Sequence, residues 1–164
     1  MKPADIRLYR NVLGGSTAFK GLAAPTLEGI MQKGLLLEAK AGDVVFFEQM
    51  RGGPGLYVVL AGEVEVFQSP APKNRLSRIR RVHLNLLQPS DCFGEYSLID
   101  GKESSASARA LVNTVLFFLP RGEFQRITEQ DVAVGRTIYH NLLLVLIQRL
   151  RLKDQTPKKT RAKK

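Results

Sequence analysis

Between Leu35 and Leu119 the chain is cut into apolar runs of about five residues, and the cuts carry Gly, Pro, Asn or Asp. Residues 35–39 form the first run, and Ala41-Gly42-Asp43 turns it into residues 44–47. A glycine-rich loop at 51–55 leads to an apolar run at 56–60, the turn Ala61-Gly62, and residues 63–67, which alternate strictly. Ser69-Pro70-Ala71-Pro72 breaks the pattern. Strand character resumes over 78–87, where Val82, Leu84 and Leu86 alternate, and Pro89-Ser90-Asp91 turns again. Residues 106–119 give two more strands about Asn113-Thr114. No helical pattern separates successive runs, so a parallel sheet built from strand-helix-strand units is disfavoured. The expectation is a mainly β fold, a closed barrel or jelly roll.

Helices are expected at both ends. Ile6, Leu8, Tyr9, Val12 and Leu13 suggest a short one, interrupted at Gly14-Gly15-Ser16, and Pro25 opens another that stops at Gly34. Residues 120–123 begin a helix carrying Phe124 and Ile127. Asp131 caps a long helix running from Val132 to about Leu152. Ile138, Leu142, Val145 and Leu152 follow helical spacing on one side of it, and Leu143, Leu146 and Leu150 cover the neighbouring side. A surface helix needs one apolar stripe. This one needs cover on more than one side, from the barrel together with either a second copy in a homodimer through residues 132–152 or the N-terminal helices alone.

Of 164 residues, 44% are apolar and 24% charged, enough for one folded domain and little more. The single Cys92 excludes an internal disulfide, and with only His83 and His140 beside it no zinc cluster is expected. No apolar run approaches a membrane span and no signal peptide is visible, so a cytoplasmic location is expected. No catalytic triad, Walker loop or metal constellation is apparent, so the chain reads as a non-enzyme with no metal or resident cofactor.

The net charge of +10 is unevenly placed: residues 148–164 carry +7, leaving +3 for the rest. Residues 153–164 read as a basic disordered tail following a domain at 1–152. Such a tail attracts polyanions weakly by counterion release, or merely solvates the chain. A second basic group, Lys73, Arg75, Arg78, Arg80 and Arg81, reads as an exposed hairpin.

Residues 93–107 stand apart. Gly94 lets backbone approach a ligand, Glu95 accepts a hydrogen bond from a sugar hydroxyl, and Ser104 and Ser105 add hydroxyl donors near short-helix amides that favour an anion. Together they are suited to a phosphorylated sugar. A serine-rich turn with Glu95 as a helix-end charge is the alternative.

With Ala41-Gly42-Asp43-Val44-Val45-Phe46, residues 56–66, Phe93-Gly94-Glu95 and residues 105–110 in this order, the chain resembles the cyclic-nucleotide-binding domain family. That family is found in catabolite activator proteins, kinase regulatory subunits and certain ion channels. The resemblance implies a jelly-roll β-barrel with N-terminal helices and a long C-terminal helix, in which residues 93–107 are the phosphate-binding cassette. It implies ligand contacts from Phe93, Gly94, Glu95, Tyr96, Ser97, Ser104, Ser105, Ala106 and Ser107. Glu95 matches the acid that receives the ribose 2′-hydroxyl, and Ser105 and Ala106 match the pair at the cyclic phosphate. Ser104 stands where the family carries an arginine that pairs with the phosphate, with Arg109 and Lys102 nearby as other cations.

The function expected is a stand-alone regulatory sensor binding cAMP or cGMP in a non-canonical cassette and signalling to an unidentified downstream protein. The alternative is a degenerate, non-binding domain acting as a protein-interaction module. Twelve residues after Leu152 are too few for a helix-turn-helix, so sequence-specific DNA reading is not expected.

Overall fold

The computed structural model describes residues 5–50, 55–69 and 81–155. A 3₁₀ turn at Ile6–Tyr9 leads into α1 (Arg10–Gly14) and α2 (Ala24–Lys33). The strands are β1 (Leu35–Ala39), β2 (Val44–Phe46), β3 (Gly55–Ala61), β4 (Val64–Gln68), β5 (Val82–Leu87) and β6 (Cys92–Phe93). After α3 (Glu95–Asp100) come β7 (Ser107–Ala110) and β8 (Thr114–Pro120), then α4 (Arg121–Gln130) and α5 (Val132–Gln155).

The continuous apolar runs of β3 and β8 mark strands covered on both faces. By the period of two, Leu56, Val58 and Leu60 of β3 and Phe117 and Leu119 of β8 point to one side. There they meet Ile30, Phe124, Ile138 and Leu142 from the helices and Phe19 from the segment between α1 and α2. Tyr57, Val59, Leu116 and Phe118 point to the other, into a core shared with Phe46, Val64, Leu87, Phe93 and Ala108. The sheet β1-β8-β3-β6 is thus sandwiched between the helices and the second sheet, β2-β7-β4-β5, with every pairing antiparallel.

The jelly roll is therefore built from two four-stranded sheets among the described residues, and their ladders do not close into a barrel. Helix accounts for 43% of the described residues against 29% strand, because α5 alone contributes 24 residues around the β core. β6 is only two residues long, too short to leave an alternation that a sequence could reveal. The arginine-rich stretch at 73–80 and the loop at 51–54 lie outside the described residues. So do residues 156–164 of the expected tail, whereas residues 153–155 continue α5.

Asp131 caps α5, its Oδ1 accepting from the amides of Ala133 and Val134. Ile138, Leu142 and Val145 are buried. Asn141 donates from Nδ2 to the carbonyls of Ala18 and Lys20, tying the helix to the N-terminal segment. Leu143, Leu144, Ile147 and Leu150 remain exposed, so among the described residues only one side of α5 is covered.

Candidate functional site

The site is floored by aromatic rings. Phe46, Tyr57 and Phe93 pack together, with the Tyr57 and Phe93 centroids 4.9 Å apart, and Phe118 stacks on Tyr57 from below at 4.7 Å. Burial among these rings pushes the Tyr57 hydroxyl up to about 12. Gly94 ends β6 with a φ of +87°, and a Cβ there would stand 2.5 Å from the Gly55 carbonyl oxygen. The tight Gly94 step turns the chain at once into α3, so that Glu95 faces the pocket beside the rings. The hollow encloses about 90 Å³.

Eight of the nine residues anticipated from the cassette line this hollow: Phe93, Gly94, Glu95, Tyr96, Ser97, Ser104, Ser105 and Ala106. Phe46, Val66, Leu84 and Asn85 add wall from the β2-β7-β4-β5 sheet. Ser107 does not reach it. Its hydroxyl accepts instead from the Glu48 amide at 2.9 Å, holding the end of β2 against β7. Ser97 is buried with its hydroxyl toward the Gly94 carbonyl, and Tyr96 is half exposed. The hydroxyl of Ser104 is buried and has no hydrogen-bond partner among the described residues.

Neither Arg109 nor Lys102, the cations noted near the cassette in the sequence, lines the pocket. Arg109 donates from Nε to Glu65 Oε2 at 2.6 Å and lies over the Phe67 ring, outside the pocket wall. Glu65 also bonds the exposed His83 at 3.1 Å. Partial burial pulls the Glu65 carboxyl up, but the hydrogen bonds from Arg109 and His83 outweigh it and hold the group below its usual range. Lys102 lies in the exposed turn after α3, and His140 is exposed on α5; neither lines the pocket.

The cation that does line the pocket is Arg149. Its guanidinium donates to Glu95 Oε1 and to the Cys92 carbonyl. Glu95 is only 2% exposed. Burial pushes its carboxyl above the usual range, and the Arg149 charge pulls against that shift. The neighbouring Cys92 thiol is pushed up to about 11, mainly by its own burial and then by the Glu95 charge, so it is an inert packing group.

The sequence profile of the family described as "Cyclic nucleotide-binding domain" matches residues 36–131, which span the sheets and most of the pocket wall. The chain belongs to the cyclic nucleotide-binding domain family. It is 34% identical over 143 residues to the cyclic AMP receptor protein of Thermus thermophilus, a match covering 85% of this chain and 60% of that protein. The chain thus spans less than two thirds of that relative. The crystal structure of the Thermus thermophilus catabolite activator protein superposes with a TM-score of 0.70 at 30% identity, again over 85% of this chain and 60% of the other. The regulatory domain of Toxoplasma gondii PKA, crystallised with cAMP, shares the fold at a TM-score of 0.65 and 20% identity, covering 77% of this chain and 47% of that one.

Within this cyclic nucleotide-binding domain, Arg149 is the pocket cation that reading the sequence missed, and Phe46, Val66, Leu84 and Asn85 are lining residues it also did not single out. The signal for Arg149 was present. Ile138, Leu142, Val145 and Leu152 recur at helical spacing, and position 149 falls in that series between 145 and 152. An arginine on an otherwise apolar face calls for a buried partner. Counted among the tail charges, it reads as solvated. No helix among the described residues is long and apolar enough to cross a membrane.

Proposed function

We propose that this chain is a regulatory sensor domain whose pocket takes a cyclic nucleotide, cAMP or cGMP. The ribose 2′-hydroxyl donates to Glu95, the phosphate lies against Ser104, Ser105 and Ala106, and Phe46 and Phe93 give the apolar floor. The observation that carries this reading is the Glu95 carboxylate itself, buried at a pocket wall on the residue that follows a positive-φ glycine. Burying a charged carboxylate costs the fold several kcal/mol before any partner is found. An apolar residue would serve packing better; Arg149 pairs with the acid in this structure, and a ligand hydroxyl is the further partner proposed for it. Family membership and the name of the 34% identical receptor relative support cAMP as the first ligand to test.

Isothermal calorimetry with cAMP and cGMP tests the reading. Binding by the wild-type chain, weakened at least tenfold in Glu95→Ala, is the expected result. Absence of heat with either nucleotide at millimolar concentration defeats it. The reading includes a homodimer along α5 and a domain ending near Leu152, beyond which the basic tail adds loose attraction to polyanions.

A second reading has one observation behind it. Arg149 already satisfies Glu95, and a hollow of about 90 Å³ is smaller than the roughly 300–1,000 Å³ of ordinary ligand pockets. The chain would then be a non-binding interaction module. Its signature is a wild type that binds neither nucleotide and a Ser104→Arg variant that gains cAMP binding.

A further inference from the structure

We propose that Arg149, carried on the C-terminal helix and not on the cassette, is the cation that neutralises the phosphate of the bound cyclic nucleotide. This rests on the sensing reading above and names the residue that makes it electrostatically possible.

Charge balance leads to this assignment. A cyclic nucleotide brings one negative charge into a site whose wall includes the buried carboxylate of Glu95. Two like charges in a poorly solvated hollow repel strongly. Among the described residues lining the pocket, Arg149 is the one cation. Arg109 is committed to Glu65 on the sheet surface, and Lys102 is not on the wall. Arg149 therefore carries the positive charge in the site.

The hydrogen-bond inventory agrees. A guanidinium has five N–H donors. Arg149 spends one on Glu95 Oε1 and one on the Cys92 carbonyl, which leaves donors for an oxyanion without breaking either bond. On the same pocket, at the cassette position where the arginine is missing, the Ser104 hydroxyl is 6% exposed and bonds to nothing among the described residues. A buried polar group of this kind is costly unless a partner arrives. A phosphate oxygen held by Arg149 supplies that partner.

The arrangement also ties ligand to helix. A cassette arginine would neutralise the phosphate within the β domain alone. Placing the cation on α5 makes the position of that helix part of the binding site, so occupancy and helix docking favour one another.

The test compares cAMP with its uncharged methyl phosphate ester, by calorimetry, on the full chain. In the wild type the neutral ester is expected to bind about ten- to a hundredfold more weakly than cAMP, the worth of a charge-assisted contact. Arg149→Gln should weaken cAMP by about the same factor and erase the preference over the ester. Ser104→Arg in the Arg149→Gln background should restore that preference, and Arg149→Lys, which keeps the charge, should retain part of it. Should Arg149→Gln fail to fold, the Lys variant and the wild-type preference still decide. Unchanged or tighter cAMP binding in Arg149→Gln, or equal weakening of cAMP and ester, overturns the assignment while a wild type that still binds and loses binding in Glu95→Ala leaves the sensing reading intact. A wild type that binds no cyclic nucleotide defeats both.

Discussion

The guanidinium of Arg149, near the end of the last helix, lies on the carboxylate of Glu95, 54 positions earlier at the start of α3. Their side chains are 17% and 2% exposed. A pair this deep is held less for stability than for position. It costs desolvation of both ions, yet removing one partner strands the other, at about 3–5 kcal/mol. Arg149→Gln, which strands the more deeply buried carboxylate, is expected to lower the urea midpoint clearly, and Glu95→Gln to move it less. The double variant should be more stable than the sum of the two losses allows, with a coupling of at least about 1 kcal/mol. Additive losses in the double-mutant cycle would show that the two side chains do not depend on one another.

The same pair sets a pH dependence. Burial raises the Glu95 carboxyl above its ordinary value of 4.5, with Arg149 opposing the rise. The folded carboxyl therefore holds its proton to higher pH than the unfolded one. Its contribution to stability is fully present below the unfolded pKa and is lost as pH rises through the folded one. Subtracting Glu95→Gln from wild type isolates this group from the other titrations. That difference in unfolding free energy, measured in urea from about pH 4 to 8, is expected to fall as pH rises. The fall should extend to higher pH when the comparison is repeated in an Arg149→Gln background, where no guanidinium opposes burial. A difference that grows with pH contradicts this account.

Much of the architecture was legible because it follows from local periodicity. β3 and β8 announce themselves as continuous apolar runs, and they are the strands covered on both faces. Asp131 reads as a cap and is one. What escaped the sequence depends on partners far along the chain. Ser107 looks like one more cassette hydroxyl, but its partner is the Glu48 amide on a neighbouring strand, 59 positions away. Arg149 looks like the first charge of a basic tail, until the pitch of α5 and the turn at Gly94 bring it to Glu95.

Gly94 is predicted to tolerate no side chain. With φ at +87° it occupies the left-handed region, and a Cβ would meet the Gly55 carbonyl oxygen at 2.5 Å and the Tyr57 ring at 3.2 Å. Both obstacles belong to the β3 segment that pairs with β6 and β8, so neither can yield cheaply. Gly94→Ala should cost about 2–4 kcal/mol in urea unfolding and should shift Glu95 out of the pocket. A loss under about 0.5 kcal/mol would show that the turn relaxes freely.

Adjacent leucines on α5 separate packing from assembly. Leu142 is fully buried, while Leu143 is 53% exposed and Leu150, seven residues on, is 59% exposed. Ile147 lies between them on the same helical face, so the three follow the spacing of a helix–helix seam. Nothing among this chain's described residues covers that face, and a second α5 related by twofold symmetry would bury it against itself. Light scattering of the wild type is expected to give the mass of a dimer, and Leu143→Glu with Leu150→Glu the mass of a monomer with unchanged circular dichroism. Leu142→Ala should act differently, costing about 2–5 kcal/mol of stability from a core cavity. A wild type that stays monomeric at high concentration, or a charged double variant that keeps the dimer mass, removes α5 as the seam. In that case the exposed leucines must face another partner.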